Sequence, residues 1–177
     1  MGSEYIAELK KWINESAPKT TNADDMELDP AVTLISKHFA VQLHEVAILS
    51  RTLDGRSLRF LAPSNLRSVG QIPLSSANSL AARTVREKRG EIINHFSVVP
   101  HASVFEAVPI AEAERSEPIQ KIMSVPIVAT GRVIGVIQVS RKGSAMTDAG
   151  PDFTHPELRE LKIISELLAP CISLVCQ

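Results

Sequence analysis

The chain has 177 residues, 44% of them hydrophobic and 22% charged, which suits one domain with a single core and at most a short appendage. Only seven aromatics, five Phe, one Trp and one Tyr, leave that core mainly to Val, Ile, Leu and Ala. A formal net charge of -1 lacks the footprint of a general nucleic-acid binder, and no uninterrupted apolar span reaches membrane length, so neither partner is expected.

Glu4 to Glu15 places Tyr5, Ile6, Leu9, Trp12 and Ile13 on one helical stripe, with Lys10, Lys11 and Asn14 opposite. One face of this helix must dock. Ser16 to Leu28 is polar, carries Pro18 and has no periodicity, so it reads as a linker. The expected division is therefore an N-terminal helix and linker over residues 1–28 and a main domain over 29–177.

Asp29-Pro30 opens a second helix, with Asp as the cap and Pro in the first turn, running to about His44 and burying Val32, Ile35, Phe39 and Leu43. Glu45 to Leu53 is a near-continuous apolar strand. Asp54-Gly55 then signals a hairpin into Ser57 to Ala62. Ser75-Ser76 is the expected cap of a third helix, with Leu80, Ala81 and Val85 inward and an end marked by Lys88, Arg89 and Gly90. The segment 51–89 is mostly basic and 106–117 mostly acidic. Both read as solvated faces, because no stacking aromatics are interleaved with the arginines.

Glu91 to Asn94 is a short strand. From His95 to Gln120 the chain carries Pro100, Pro109 and Pro118 among apolar residues, the pattern of a long loop packed down as a lid. Lys121 to Ala129 and Arg132 to Ser140 form a hairpin around Thr130-Gly131, apolar on both sides, with Gly135 inside the second strand. Pro156 begins a terminal helix with Leu158, Leu161, Ile164, Leu168, Ile172 and Val175 at helical spacing. Beyond Ile163 it is apolar on more than one face, so a second copy of the chain is the expected partner, giving a homodimer through terminal helices. Strands apolar on both sides require cover on both faces. The expected fold is a three-layer α/β/α sandwich around an antiparallel sheet.

This order of elements, with Arg89 to Asn94 (RGEIIN), the hairpin VPIVATGRVIGVIQVSRKG, and Phe153 ahead of a helix containing Glu157, resembles the GAF domain, a sensory and regulatory family. The resemblance covers about Asp29 to Val175. It implies a GAF/profilin-like α+β fold with a five- to six-stranded sheet, ordered 2-1-5-4-3 on the five-strand count. Terminal helices would lie on one face, and a small-ligand pocket under helices and a lid on the other.

The family's specialised chemistries fail residue by residue. Cyclic-nucleotide-binding members have an Asn-Lys … Phe-x-x-x-Asp-Glu pattern, whereas here Asn94 precedes His95 and Phe153 leads to Glu157 and Leu158. Bilin-binding members use a pocket cysteine, and members that reduce free methionine sulfoxide use cysteines in the lid region. The two cysteines here, Cys171 and Cys176, lie in the terminal helix, on different faces and poorly directed for a disulfide. A reducing, cytoplasmic compartment fits them.

On its own terms the sequence has no Gly-x-Ser-x-Gly elbow, Walker loop or dinucleotide fingerprint. His95, His101 and Glu106 are spaced irregularly and read as loop residues rather than a metal centre. RVIGVIQVSRKG resembles an acetyltransferase strand, but Gly143 is misplaced for the pyrophosphate loop and no helix begins there. The expectation is a non-catalytic sensory domain. The alternatives are a ligand-free dimerisation scaffold and, behind it, a small enzyme such as an acyltransferase. No cofactor is specified.

The ligand is expected between one sheet face, the third helix and the lid. Ser75, Ser76 and Asn78 stand at the helix N-terminus; His95, His101 and Phe105 in the lid; Met123, Val125, Val136 and Gln138 on the hairpin. If Thr130-Gly131 is a two-residue loop, Met123, Val125 and Ile127 share a face with Ile134, Val136 and Gln138. A three-residue loop with a bulge would flip one set. Gly135, with Val133 and Ile137, is then assigned to the terminal-helix face, where a missing side chain would let a helix approach.

Overall fold

A computed structural model describes residues 2–16, 27–98 and 117–175. Most of the linker and most of the lid, including His101 and Phe105, fall outside the described residues.

Among the described residues four α-helices flank one antiparallel sheet: α1 (Gly2–Ser16), α2 (Asp29–Phe39), α3 (Leu80–Glu87) and α4 (His155–Val175). The strands are β1 (Val46–Arg51), β2 (Ser57–Ala62), β3 (Gln71–Pro73), β4 (Glu91–Ile93), β5 (Ile119–Ala129) and β6 (Arg132–Lys142), in spatial order β3-β2-β1-β6-β5-β4. Without the short edge strand β3, which the sequence analysis did not foresee, this is the 2-1-5-4-3 order that the resemblance implies.

The two faces of the sheet carry separate cores. On one, Val46, Ile48, Met123, Val125, Ile127, Ile137 and Val139 pack against Val32 and Ile35 of α2 and Leu161, Ile164, Leu168 and Ile172 of α4. Leu9 of α1 is buried in the same cluster, with Trp12 and Ile13 packed against it. On the other face, Ala47, Leu49, Phe60, Val133 and Val136 meet Ala81, Ala82 and Val85 of α3. A fully buried Leu or Ile contributes roughly 1.5–3 kcal/mol, so these clusters hold the three layers together.

Helix boundaries differ from expectation in instructive ways. Asp29 does not cap α2; its carboxylate accepts from Ser64 N and Oγ at 3.0 and 2.8 Å, tying the helix start to the chain after β2. Helix α2 ends at Phe39 because Ala40 turns left-handed (φ 52°), and Leu43 is left 53% exposed rather than buried. Helix α3 starts later than expected, capped by Ser79, whose side chain accepts from Ala82 N. Ser75 and Ser76 therefore lie in the turn before it. Its last turn is closed by Lys88 in the left-handed conformation.

The hairpin corrects the expected faces. Thr130 and Gly131 have φ 50° and 76°, the paired positive values of a two-residue turn, and Ala129 pairs with Arg132. The strands nevertheless slip further up: Val128 pairs with Val133 and Ile127 with Gly135, leaving Ile134 as the extra residue of a bulge. Above it Met123 pairs with Val139 and Val125 with Ile137. Met123 and Val125 thus lie on the terminal-helix face, opposite to Val136 and Gln138. Val133 and Ile134 also exchange their expected faces, Val133 joining the α3 cluster and Ile134 packing toward the terminal helices.

Gly135 keeps its expected face but not its expected reason. A Cβ built there would lie 2.3 Å from the Leu49 carbonyl oxygen, closer than any real Cβ approach. The close neighbour is the backbone of β1 within the sheet, not a helix above it.

Candidate functional site

Beneath α3 the central strands carry a buried polar line in an otherwise apolar layer. Ser124 of β5 and Gln138 of β6 are cross-strand partners, and Thr84 of α3 points down onto them. All three are buried, with Gln138 only 3% exposed. The neighbours along the strands are apolar: Val136 toward the α3 cluster, and Ile122 toward a smaller cluster with Leu80, Phe96 and Ile119.

The proton order in this line follows from counting donors. Thr84 Oγ1 donates its only proton to the Leu80 carbonyl at 2.9 Å. Ser124 Oγ must therefore donate to Thr84 Oγ1, at 2.7 Å, and is left to accept from Gln138 Nε2 at 3.2 Å. That sequence fixes the amide orientation. It ends on Gln138 Oε1, a buried acceptor with no hydrogen-bond partner among the described residues. Leaving such a group unmet costs about 1–3 kcal/mol.

A second polar assembly lies where the end of β4 meets the approach to α4. Asn94, the residue after β4, clamps the backbone of Phe153: its Nδ2 donates to Phe153 O at 3.1 Å and its Oδ1 accepts from Phe153 N at 2.9 Å. The Phe153 ring is buried under the Arg141 guanidinium, 4.1 Å from its centroid. Arg141 also donates to the Pro151 and Phe39 carbonyls at 2.7 and 3.2 Å, and pairs with Glu157 at 3.4 Å. Glu157 and Thr154 bond reciprocally across the first turn of α4, a capping box. One arginine so connects the end of α2, the approach to α4 and the start of α4 itself.

Of the residues expected to bind ligand, Val136 and Gln138 lie on the α3 face. Ser75 and Asn78 are exposed and Ser76 half-buried in the turn before α3. His95 is exposed, its Nδ1 3.2 Å from Met146 Sδ. Met123 and Val125 lie across the sheet, as described above. Ser124 and Thr84 escaped sequence analysis, although a serine in a two-sided apolar strand was a signal of the same kind as Gln138.

Among the described residues no group of three His, Cys, Asp or Glu side chains is placed to hold a metal. Cys171 is a free thiol buried in the terminal-helix core, and burial pushes its pKa up, away from the reactive thiolate. No described helix is long and apolar enough to cross a membrane.

Comparisons with known proteins place this architecture. The GAF domain of an Acinetobacter phosphoenolpyruvate-protein phosphotransferase is 15% identical with a TM-score of 0.65, over 94% of this chain and 92% of that one. Residues 122 to 287 of a methyl-accepting chemotaxis protein are 18% identical with a TM-score of 0.62, over 94% and 96%. The free methionine-R-sulfoxide reductase of Neisseria meningitidis, solved with its substrate, is 13% identical with a TM-score of 0.63, over 98% and 91%. No curated protein sequence matches significantly. The sequence model of the GAF domain matches residues 38–173, most of the chain and the whole of the sheet. Its sheet order, its two-sided helical cover and this match agree: the chain belongs to the GAF domain family.

Proposed function

We propose that this chain is a non-catalytic sensory or regulatory domain that holds a small organic molecule on the α3 face and reports its presence to the terminal helices. The observation that carries the reading is Gln138 Oε1, which has no hydrogen-bond partner among the described residues. A ligand that meets it must present an N–H or O–H donor, with apolar parts suited to Val136 and the layer around it. The turn containing Ser75, Ser76 and Asn78 and the lid residues His95, His101 and Phe105 are the proposed remainder of the site. Met123 and Val125 support it only from behind the sheet.

The path to the helices runs through Asn94 and Arg141. The lid begins immediately after Asn94, and Asn94 grips the residue before α4. Closure of the lid on a ligand would favour one setting of α4 by its differential affinity for the two settings. On α4, Ile163 and Leu174 are 43% and 42% exposed and, with half-buried Leu167 and exposed Pro170, form one apolar seam at helical spacing. This seam is the proposed contact with a second copy. Cytoplasmic residence accords with the free thiol of Cys171.

The reductase relatives raise an enzymatic reading, which two facts disfavour. Residues 95–120 contain no cysteine, and Cys171 is buried in the layer across the sheet. Native mass spectrometry of gently purified protein tests the proposal. A retained small molecule in the wild type, lost in Gln138→Leu, is expected. Identical ligand-free masses for both, under conditions that keep the fold, would sink the sensory half and leave a dimerisation scaffold.

A further inference from the structure

At the opposite end of α3 the chain builds a different site. A cleft of about 640 Å³ opens between the β1–β2 loop, the C-terminal end of α3 and the β5–β6 turn. Its lining carries Arg51, Arg86, Lys88 and Arg132, with Asp54 the only acidic residue among the described lining residues. The sequence presented 51–89 as a diffuse basic stretch. Folding gathers both ends of that stretch into one concavity and adds a fourth cation from β6.

Two of these arginines are held in place by carbonyl groups. Arg86 Nη1 donates to the Leu74 and Ser76 carbonyls at 2.6 and 2.9 Å, and Arg51 Nε to the Gly55 carbonyl at 3.0 Å. The carbonyls fix the Arg86 guanidinium without cancelling its charge. The Asp54 carboxylate is engaged by Thr52 Oγ1 and Arg56 N on its own loop. Complementing the helix dipole accounts for cations at the end of α3, namely Arg86 and Lys88. It does not account for Arg51 and Arg132, which arrive from two strands. Beside the charges stand Leu74, Val85 and, 79% exposed in the β1–β2 loop, Leu53.

We propose that this cleft is a second ligand site, for a small organic phosphate: Arg86, Arg132 and Lys88 hold the phosphoryl oxygens, and Leu53 and Leu74 face the organic part. Guanidinium groups match phosphate oxygens two at a time, which selects phosphate over a simple halide. The site is independent of Gln138, which lies toward the other end of the α3 face.

The test is an amide-resolved NMR titration of the full chain with inorganic pyrophosphate and with phenyl phosphate, each against sodium chloride at matched ionic strength. Saturable shifts confined to residues 51–55, 86–88 and 131–134 are expected with both probes. The Arg132→Gln variant, at an exposed position, and the Arg86→Gln/Arg132→Gln pair should weaken binding progressively, the pair by about tenfold or more. Gln138→Leu should bind both probes as the wild type does, which separates failure here from failure of the sensory reading. Shifts no larger than those in matched chloride, or unchanged affinity in Arg132→Gln, would overturn the proposal. So would displacement of both probes by far lower concentrations of a single-stranded oligonucleotide, which would reassign the cleft to nucleic acid.

Discussion

The two faces of the central sheet are built from the same strands and are both buried, yet they place their polar groups differently: toward α2 and α4 the buried charges Lys121 and Arg141 gather beside the Phe153 turn. Toward α2 and α4, the strand residues Met123, Val125, Ile127, Ile137 and Val139 meet apolar helix positions. Toward α3, the neighbouring positions Ser124 and Gln138 interrupt the apolar layer and reach Thr84. An apolar layer gains stability from every contact, whereas a buried polar line at best breaks even once its desolvation is met. Under the proposed function, the first face holds the fold and the polar line of the second is the part that meets a ligand.

The largest expected effect comes from the residue where the two faces are set. In Gly135→Ala the new methyl would sit 2.3 Å from the Leu49 carbonyl, a backbone atom that cannot rotate away. Strands β1 and β6 would have to separate at the centre of the sheet. A loss of about 3 kcal/mol or more is expected, read as a lower urea midpoint. An unchanged midpoint would mean that the bulge at Ile134 absorbs the methyl and that the two faces are less rigidly divided than drawn here.

The hairpin also shows what was legible in the sequence. All the strands but β3, their order and the helical cover followed from periodicity, turn chemistry and the family resemblance, and the two-residue turn was one of two turns the sequence allowed. The bulge did not, because Val133 and Ile134 are both β-branched and apolar and either can face either core. One extra residue then moved Met123 and Val125 to the far face. The capping serines failed for a related reason: Ser75, Ser76 and Ser79 all suit a helix N-terminus, and only the helix packing selects Ser79. Gln138 was legible because an amide among Val and Ile has to be explained. Asn94 was noted only as part of an incomplete motif; its clamp on Phe153 spans 59 positions, which no local pattern reveals.

That clamp gives a smaller and more specific way to sharpen the comparison, since it joins the lid side of the sheet to the helix side. Asn94→Ala removes both hydrogen bonds to Phe153 while leaving Arg141 over its ring. A cost of about 1–3 kcal/mol is expected. Hydrogen exchange should quicken at Phe153 and in the first turn of α4, with little change in β1 and β2. Uniformly faster exchange would argue that Asn94 supports the whole core rather than this one connection.

The smallest effect tests a charge at the rim of the same connection. Lys121 is buried on β5, and its Nζ reaches the Gly150 carbonyl at 2.6 Å and the Asp152 carboxylate at 2.7 Å, just ahead of Phe153. The hydrogen bond from Lys121 holds the Asp152 carboxyl below its usual range, despite some opposing desolvation. Because the folded value is depressed, this pairing stabilises the protein fully above the ordinary value of 3.8 and is lost as the pH falls through the lower, folded one. Asp54 is shifted in the same direction by Thr52 and Arg56, so it adds to the same acid limb. Subtracting the melting profile of Asp152→Asn from that of the wild type removes the Asp54 contribution. The difference should be constant near neutral pH and shrink only below about pH 4. A difference that instead persists unchanged into stronger acid would show that Asp152 acts through its shape in the turn before Phe153, and that charge has no part in fastening the lid side to α4.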